Sequence, residues 1–217
     1  VTKDYVLNLE VVLPSGDIIW TGANVLKNST GYNLTQLMVG SEGTLGVITK
    51  IVFKLIPHPS HDLTLLVPFR SAEKACEAVS AVFRAGITPS ALEFMERDAI
   101  DWTLKFTDMN VPINEDIQAH LLVEVDGNDI DILFKDCEKI TEVMEQYDCD
   151  EILFADSSLQ KEQLWKMRRA VGEAVKSNSV YKEEDTVVPR AELPQLLKGV
   201  KSIGKKHGFK SVCYGHA

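Results

Sequence analysis

Hydrophobic and polar residues follow two different periods along this chain, and the changes between them divide it into strands and helices. In the second half, short apolar or β-branched runs are separated by stretches in which apolar residues recur every three to four positions. Ala75, Val79 and Val82 have this helical spacing. Their segment begins after Ser71, a residue type that caps helix N termini, and stops at Gly86. The pattern predicts repeated strand–helix–strand units.

The same reasoning assigns elements to the whole chain. Strands are predicted at Tyr5–Leu13, Ile18–Trp20, Val47–Ile56, His61–Phe69, Ala91–Phe94, His120–Val125, Glu151–Phe154, Thr186–Val188 and Phe209–Tyr214. Helices are predicted at Asn33–Met38, Ala72–Arg84, Arg97–Phe106, Ile130–Tyr147, 158–177 and Ala191–His207, and Trp102 is expected in the core. Such short strands between helices predict an α+β fold, with a ferredoxin-like, antiparallel or mixed sheet that carries its helices on one face.

A proline-rich break, Pro57-His58-Pro59, interrupts the pattern and predicts a domain boundary. Residues 1–57 contain a predicted hairpin and a glycine-rich segment, whereas residues 58–217 contain the alternating strands and helices. The chain begins without methionine and stops directly after a strand pattern. Both ends are therefore expected to lie inside a longer protein.

Composition narrows the class of protein without naming a function. The 217 residues are 45% hydrophobic and 25% charged, as is typical of a globular protein. The net charge of −9 argues against a nucleic-acid surface, which requires clustered Lys and Arg. The four cysteines have no C-x-x-C spacing and are expected to be free thiols. Because the sequence has neither a secretory signal nor a run of about 18 apolar residues, we expect a cytoplasmic protein without a transmembrane segment.

The first candidate for chemistry is a glycine-rich segment. Gly40, Gly43 and Gly46 lie three residues apart and precede the β-branched run Val47–Thr49. Glycines at this density let a backbone adopt positive φ or approach a ligand closely. The segment lacks the Gly-Lys-Ser/Thr of a P-loop, and it leads into a strand instead of the helix that follows a Rossmann glycine motif. A structural turn and a ligand-binding backbone both remain open from these features.

The order of the residues favours the second alternative. GSEGTLGVIT, preceded by GYNLTQLMV and followed by KIVFKLIPHP, closely resembles the end of the FAD-binding domain in the FAD-linked oxidase family. That family includes D-lactate dehydrogenases, the D subunit of glycolate oxidase and D-2-hydroxyglutarate dehydrogenase. The resemblance implies that residues 1–57 are the C-terminal part of an FAD-binding domain and that 58–217 are the substrate (cap) domain, truncated at its C terminus. It also implies that FAD lies along the backbone of Glu42, Gly43, Thr44, Leu45, Gly46, Val47 and Ile48.

A second candidate lies on the helix predicted at 158–177. Trp165 and Arg168 are three residues apart and share one face, where an arginine suits a carboxylate ligand. The spacing alone favours a solvated basic face, since Lys166 and Arg169 are close to Arg168 and also charged. The segment resembles the W-x-x-R helix of the family, and this resemblance implies that Arg168 binds the substrate carboxylate.

The third candidate is His216, which follows Gly215 near the end of the chain. A single histidine has no functional meaning by itself. The ending resembles the start of the family motif G-H-x-G-D-G-N-x-H, whose histidines bind a divalent metal, zinc or manganese. The resemblance implies that His216 is the first metal ligand and that the other ligands lie beyond this chain.

Together these resemblances imply a flavin-dependent oxidoreductase that transfers a hydride from C2 of a small D-2-hydroxy acid to FAD. A D-lactate or glycolate type of substrate is expected, because Gly172 stands where the 2-hydroxyglutarate members have a threonine; the identity of the acid remains open. A homodimer is compatible with this reading. Without the first half of the FAD-binding domain, the chain by itself is expected to be inactive and free of flavin.

Two alternative functions remain at this point. One is another flavoprotein of the same superfamily, of the alkyl-glycerone-phosphate synthase type. The other is a non-catalytic, ferredoxin-like interaction module, which a flat exposed sheet face without a cleft beside Arg168 would favour.

Overall fold

The computed structural model describes residues 2–108 and 113–217, and it divides the chain into two compact units, Val1–His58 and Pro59–Ala217. Each unit has its own sheet and its own hydrophobic core. The fold is α+β, as predicted.

The first unit is a small antiparallel sheet with one short helix. Its elements in the described residues are β1 (Val6–Val12), β2 (Ile18–Trp20), α1 (Leu34–Met38) and β3 (Val47–Phe53). The strand order is β2-β1-β3, so β1 is central. Leu9 and Val11 of β1 and Met38 of α1 form its buried core.

The second unit contains a larger antiparallel sheet and five helices within its described residues. The strands are β4 (His61–Phe69), β5 (Ala91–Glu96), β6 (Ala119–Gly127), β7 (Leu153–Phe154) and β8 (Tyr214–His216). The helices are α2 (Ala72–Arg84), α3 (Arg97–Thr107), α4 (Ile130–Met144), α5 (Ser158–Asn178) and α6 (Leu193–His207). The strand order is β7-β4-β6-β5-β8, so β6 is the central strand and lies between β4 and β5.

Helices cover both faces of this sheet, and the prediction of helices on one face only is wrong. Leu121 and Leu122 are adjacent in β6 and both fully buried, although neighbouring strand residues point to opposite faces. Leu121 packs in the cluster that includes residues of α2, α4 and α6, and Leu122 packs with Met167 and Val171 of α5. The sheet is therefore the middle layer of three.

Several predicted elements differ from the structure near the chain end. The segment Thr186–Val188 is not a strand, and the last strand begins only at Tyr214 instead of Phe209.

Trp102 is half-buried instead of lying in the core, and the Lys210 ammonium lies 4.8 Å from the centroid of its ring. No helix in the described residues is long and apolar enough to cross a membrane.

Candidate functional site

The glycine-rich segment connects α1 to β3 on the surface of the first unit. Its chain enters the left-handed region at Gly40 (φ 84°), Glu42 (φ 51°) and Gly43 (φ 77°). One turn is closed by the Thr44 N–H, which donates to the Ser41 carbonyl at 2.9 Å.

The N–H groups of Gly43 and Leu45 are among the backbone donors of this segment that have no acceptor within residues 2–108 and 113–217. The side chains of Leu45, Val47 and Ile48 are exposed beside them. Bare N–H groups next to exposed apolar side chains suit a flat, partly polar ligand such as a nucleotide. The described residues therefore fit one wall of a flavin nucleotide site.

Gly46 has a different role from its neighbours, because it packs directly on β1. A Cβ at this position would lie 2.6 Å from Val11 Cγ1 and 2.8 Å from the Val12 carbonyl oxygen. Both distances are shorter than any normal contact, and backbone atoms yield less than side chains. Gly46 thus allows the segment to lie flat against the sheet.

Gly46→Ala is expected to destabilise the protein by about 1–3 kcal/mol, since overpacking against β1 forces backbone shifts. Urea unfolding measures this loss. The matched control is Gly172→Ala in α5, where a Cβ would meet only the Tyr214 hydroxyl at 3.8 Å. This control is expected to gain up to about 1 kcal/mol of helix stability, and an equal loss in both variants would contradict the packing argument.

In the second unit, a buried carboxylate brings two predicted site residues together. Glu93 lies on β5, its side chain is 4% exposed, and His216 of β8 is directly opposite it. His216 Nδ1 lies 2.6 Å from Glu93 Oε1. The Arg168 Nε–H donates to Glu93 Oε2 at 2.9 Å, and Nη2 of the same guanidinium lies 2.8 Å from that oxygen. Arg168 and His216, 48 residues apart in sequence, thus share one partner.

Arg168 is a partly exposed cation with spare donors. Its side chain is 14% exposed, and its guanidinium carbon lies 5.8 Å from the centre of the Tyr214 ring. An arginine has five N–H donors, of which two face Glu93. No further acceptor for this side chain is found in the described residues. Burial raises the pKa of the Tyr214 hydroxyl, with a contribution from Glu183, and Arg168 opposes that rise.

A second polar contact fixes the same helix to the sheet. The Trp165 Nε1–H donates to Glu124 Oε2 at 2.8 Å, and the buried Thr64 hydroxyl donates to that oxygen at 3.2 Å. Trp165 and Arg168 therefore lie on one face of α5, as predicted, and each contacts a carboxylate on the sheet. The interpretation of this segment as a solvated basic face applies to the exposed Arg169 and not to Arg168.

The sequence analysis did not identify Glu93 and Glu124. Both stand inside apolar strands, ALEFME and AHLLVEVDG, and both point to the face that α5 covers. A charged residue at an inward position of a buried strand must have a partner, because burying an unpaired charge is costly. That rule was the available signal, and it predicts that a partner exists without saying which element supplies it.

His216 alone represents the predicted metal site. Its side chain is 91% exposed, and Nε2 has no partner in the described residues. Within residues 2–108 and 113–217, no three His, Cys, Asp or Glu side chains come together in a metal-binding arrangement. These residues do not fit a divalent metal by themselves, since a catalytic zinc site has about three protein ligands.

A surface cavity of about 380 Å³ lies elsewhere in the second unit. It is lined by residues at the N termini of α2 and α3, among them Ser71 and Glu96, and by Lys201 of α6. The Lys201 ammonium lies 2.5 Å from Glu96 Oε1. Burial nevertheless raises the pKa of Glu96, with the lysine opposing that rise. Neither Arg168 nor His216 lines this cavity, and two of its charged residues, Glu96 and Lys201, are paired with each other.

Comparison with known proteins gives consistent results for sequence and fold. Residues 58–217 match the sequence family described as FAD linked oxidases, C-terminal domain. The D-lactate dehydrogenase of Anaerostipes hadrus is 38% identical over 221 residues, which cover 100% of this chain and 46% of that protein. The glycolate oxidase subunit GlcD of Bacillus subtilis is 35% identical over 220 residues, with the same coverage. The chain spans about half the length of these curated relatives.

Solved structures agree on the fold at much lower identity. The 4-ethylphenol oxidase of Gulosibacter chungangensis superposes with a TM-score of 0.70 at 15% identity, covering 100% of this chain and 50% of that chain. An alkyldihydroxyacetonephosphate synthase superposes with a TM-score of 0.63 at 17% identity, covering 95% and 42%. At these identities the likeness establishes the fold alone.

Proposed function

Because the chain belongs to the FAD-linked oxidase family, we propose that it is part of an FAD-dependent dehydrogenase of a small D-2-hydroxy acid. The substrate would be of the D-lactate or glycolate type. The observation that carries the proposal is the meeting of Arg168 and His216 on Glu93. A cation and an imidazole held side by side suit a carboxylate with a neighbouring hydroxyl.

Residues 1–57 are proposed to be the C-terminal part of the FAD-binding domain, and 58–217 the substrate domain. The backbone from Glu42 to Ile48 would hold FAD, with the free N–H groups of Gly43 and Leu45 as donors. When bound, FAD accepts the hydride from C2 of the hydroxy acid, whose hydroxyl proton is lost to a base. The protein's own contribution is to bind and orient the acid.

Arg168 would bind the substrate carboxylate through the donors that do not face Glu93. Two parallel N–H···O bonds fix both the distance and the plane of a carboxylate, which a lysine does not. Glu93 keeps the guanidinium from turning, so these donors stay directed. The hydroxyl on the adjacent carbon would then have a defined position.

The divalent metal is proposed from the sequence resemblance alone. His216 would supply one ligand through Nε2, and the described residues do not complete the set. We therefore assign no step of the reaction to a metal.

Neither alternative function gains an observation in its favour. The likeness to the synthase is one of fold, whereas relatives with 35–38% identity are named for D-lactate and glycolate. An interaction module was expected to have a flat exposed sheet face beside Arg168. The sheet of the second unit is instead covered by helices on both faces.

The test is reduction of bound flavin by 2-hydroxy acids. The purified full-length protein is loaded with FAD and mixed with D-lactate, glycolate or D-2-hydroxyglutarate, and the flavin absorbance is followed. We expect at least one acid to bleach it. Arg168→Gln is expected to lower kcat/KM by about 100-fold or more, because a charged pairing with the substrate is lost.

Arg169→Gln is the matched control, since Arg169 is adjacent and exposed. It is expected to keep wild-type kinetics, and circular dichroism checks that each variant is folded. A wild-type flavin that none of the acids reduces would overturn the proposal, as would equal kinetics in the two arginine variants.

A further inference from the structure

A single carboxylate contacts both polar residues that the proposed function uses. Glu93 presents Oε2 to Arg168 and Oε1 to His216. Its side chain is almost fully buried, whereas the His216 ring is almost fully exposed. The carboxylate therefore anchors the ring from the protein side and leaves the far edge of the imidazole open.

Because Glu93 Oε2 faces Arg168 and Oε1 faces His216, these contacts determine which nitrogen of His216 carries the proton. An arginine only donates hydrogen bonds, and a carboxylate paired with it only accepts them. At 2.6 Å from Glu93 Oε1, the Nδ1 atom of His216 must therefore be the donor. In the neutral ring, the proton on Nδ1 leaves Nε2 with a free lone pair.

We propose that Glu93 is a positioning residue that holds His216 in the Nδ1–H tautomer and directs the Arg168 guanidinium. Nε2 of His216 then faces outward with a free lone pair, the form required either to take a hydrogen bond from a substrate hydroxyl or to bind the proposed metal. The kinetic consequence rests on the proposed function. The tautomer itself does not, because it follows from the contacts of Glu93.

Glu93→Gln tests the assignment because it keeps the shape and changes the donors. Its amide oxygen must face Arg168, which offers only N–H groups, so its NH₂ must face His216 Nδ1. That nitrogen then accepts, and the proton moves to Nε2. We expect kcat to fall on the order of 10–100-fold with KM little changed, because the oxygen that directs Arg168 is still present.

Glu124→Gln is the matched control. Glu124 lies on the same face of the sheet and contacts the same helix, but through Trp165 instead of Arg168. We expect its kinetics to stay at the wild-type level.

Glu93→Leu removes both directing oxygens and is expected to raise KM as well as lower kcat.

A spectroscopic measurement on the same proteins is independent of activity. Long-range ¹H–¹⁵N spectra of protein labelled in histidine, at a pH well above the ordinary imidazole pKa of about 6.5, report the tautomer of each ring. A His216→Gln spectrum identifies the signals of His216. We expect the Nδ1–H form in the wild type and in Glu124→Gln, and the Nε2–H form in Glu93→Gln.

The outcomes separate this inference from the proposed function. If the wild type reduces flavin but Glu93→Gln keeps both the tautomer and the kinetics of Glu124→Gln, the positioning role is wrong. If no 2-hydroxy acid is oxidised while the tautomer switches as expected, the positioning role holds and the proposed substrate is wrong.

Discussion

Between pH 6.5 and about 4, His120→Leu is expected to lose about 3 kcal/mol less of its free energy of unfolding than the wild-type protein loses. His120 lies on β6 between β4 and β5, its side chain is 2% exposed, and its Nδ1 has no hydrogen-bond partner among the residues that the structure describes. Burial lowers the pKa of its imidazole from 6.5 to about 4, and the charge of Arg97 adds to that effect. The folded protein therefore holds His120 in its neutral form.

The sign of the effect follows from where the proton binds. Between pH 6.5 and about 4 the unfolded chain protonates this histidine and the folded protein does not. The contribution of His120 is thus fully present above pH 6.5 and is lost as the pH falls to about 4. Each decrease of one pH unit in that window lowers the free energy of unfolding by about 1.4 kcal/mol.

Urea unfolding at a series of pH values measures the difference. His120→Leu is expected to be at least as stable as the wild type at neutral pH, because it also removes a buried nitrogen without a partner. His207→Gln, an exposed histidine of α6, is the control and should keep the wild-type slope. If the leucine variant lost stability as steeply as the wild type, the buried neutral histidine would not be its source.

The strands and helices with a clear hydrophobic period were predictable from sequence, and two of them show why. His61–Phe69 and Ala72–Arg84 match the observed elements at both ends. Their limits are marked by local chemistry, such as Ser71, whose hydroxyl accepts a hydrogen bond from the Lys74 N–H. Local signals of this kind do not depend on the rest of the molecule.

The structural predictions that failed concern features that depend on contacts between residues far apart in sequence. Thr186–Val188 has strand-forming residues but no neighbouring strand to pair with in the described chain, and strand propensity requires such a partner. The helices on both sheet faces were missed because the prediction relied on the order of elements. The continuous apolar runs of β4 and β6 indicated two buried faces.

The candidate site also contains residues that the sequence identified and a residue whose role depends on distant contacts. Arg168 and His216 were identified through resemblance, since neither has a distinctive local pattern. Glu93 was missed because its meaning lies in two partners, 75 and 123 residues away. A buried carboxylate in a strand does predict some cationic partner, but only the folded sheet brings Arg168 and His216 to it.

The second large effect concerns the stability of this same pair. Arg168→Met is expected to cost about 3–5 kcal/mol, because it leaves the buried Glu93 carboxylate without its cation. Glu93→Leu is expected to lie toward the lower end of that range, since Arg168 is 14% exposed and keeps some contact with water. Urea unfolding at neutral pH measures both losses.

The double variant, Glu93→Leu with Arg168→Met, is expected to recover most of the loss, to within about 1 kcal/mol of the wild type. Replacing a whole buried ion pair with apolar residues is often neutral, because the desolvation of both charges is avoided. His216 adds little cost, since its exposed ring can turn to water. Losses that simply add in the double variant would show that the two residues do not act as a pair.

This cycle also bears on why the pair is present. A double variant that is stable but does not reduce flavin would mean that the charges are not needed for folding. Their place in the largely buried layer between the sheet and α5 would then be explained by the ligand that Arg168 binds. A double variant that is both stable and active would instead remove Arg168 from the binding of the substrate carboxylate, whatever the fate of the rest of the site.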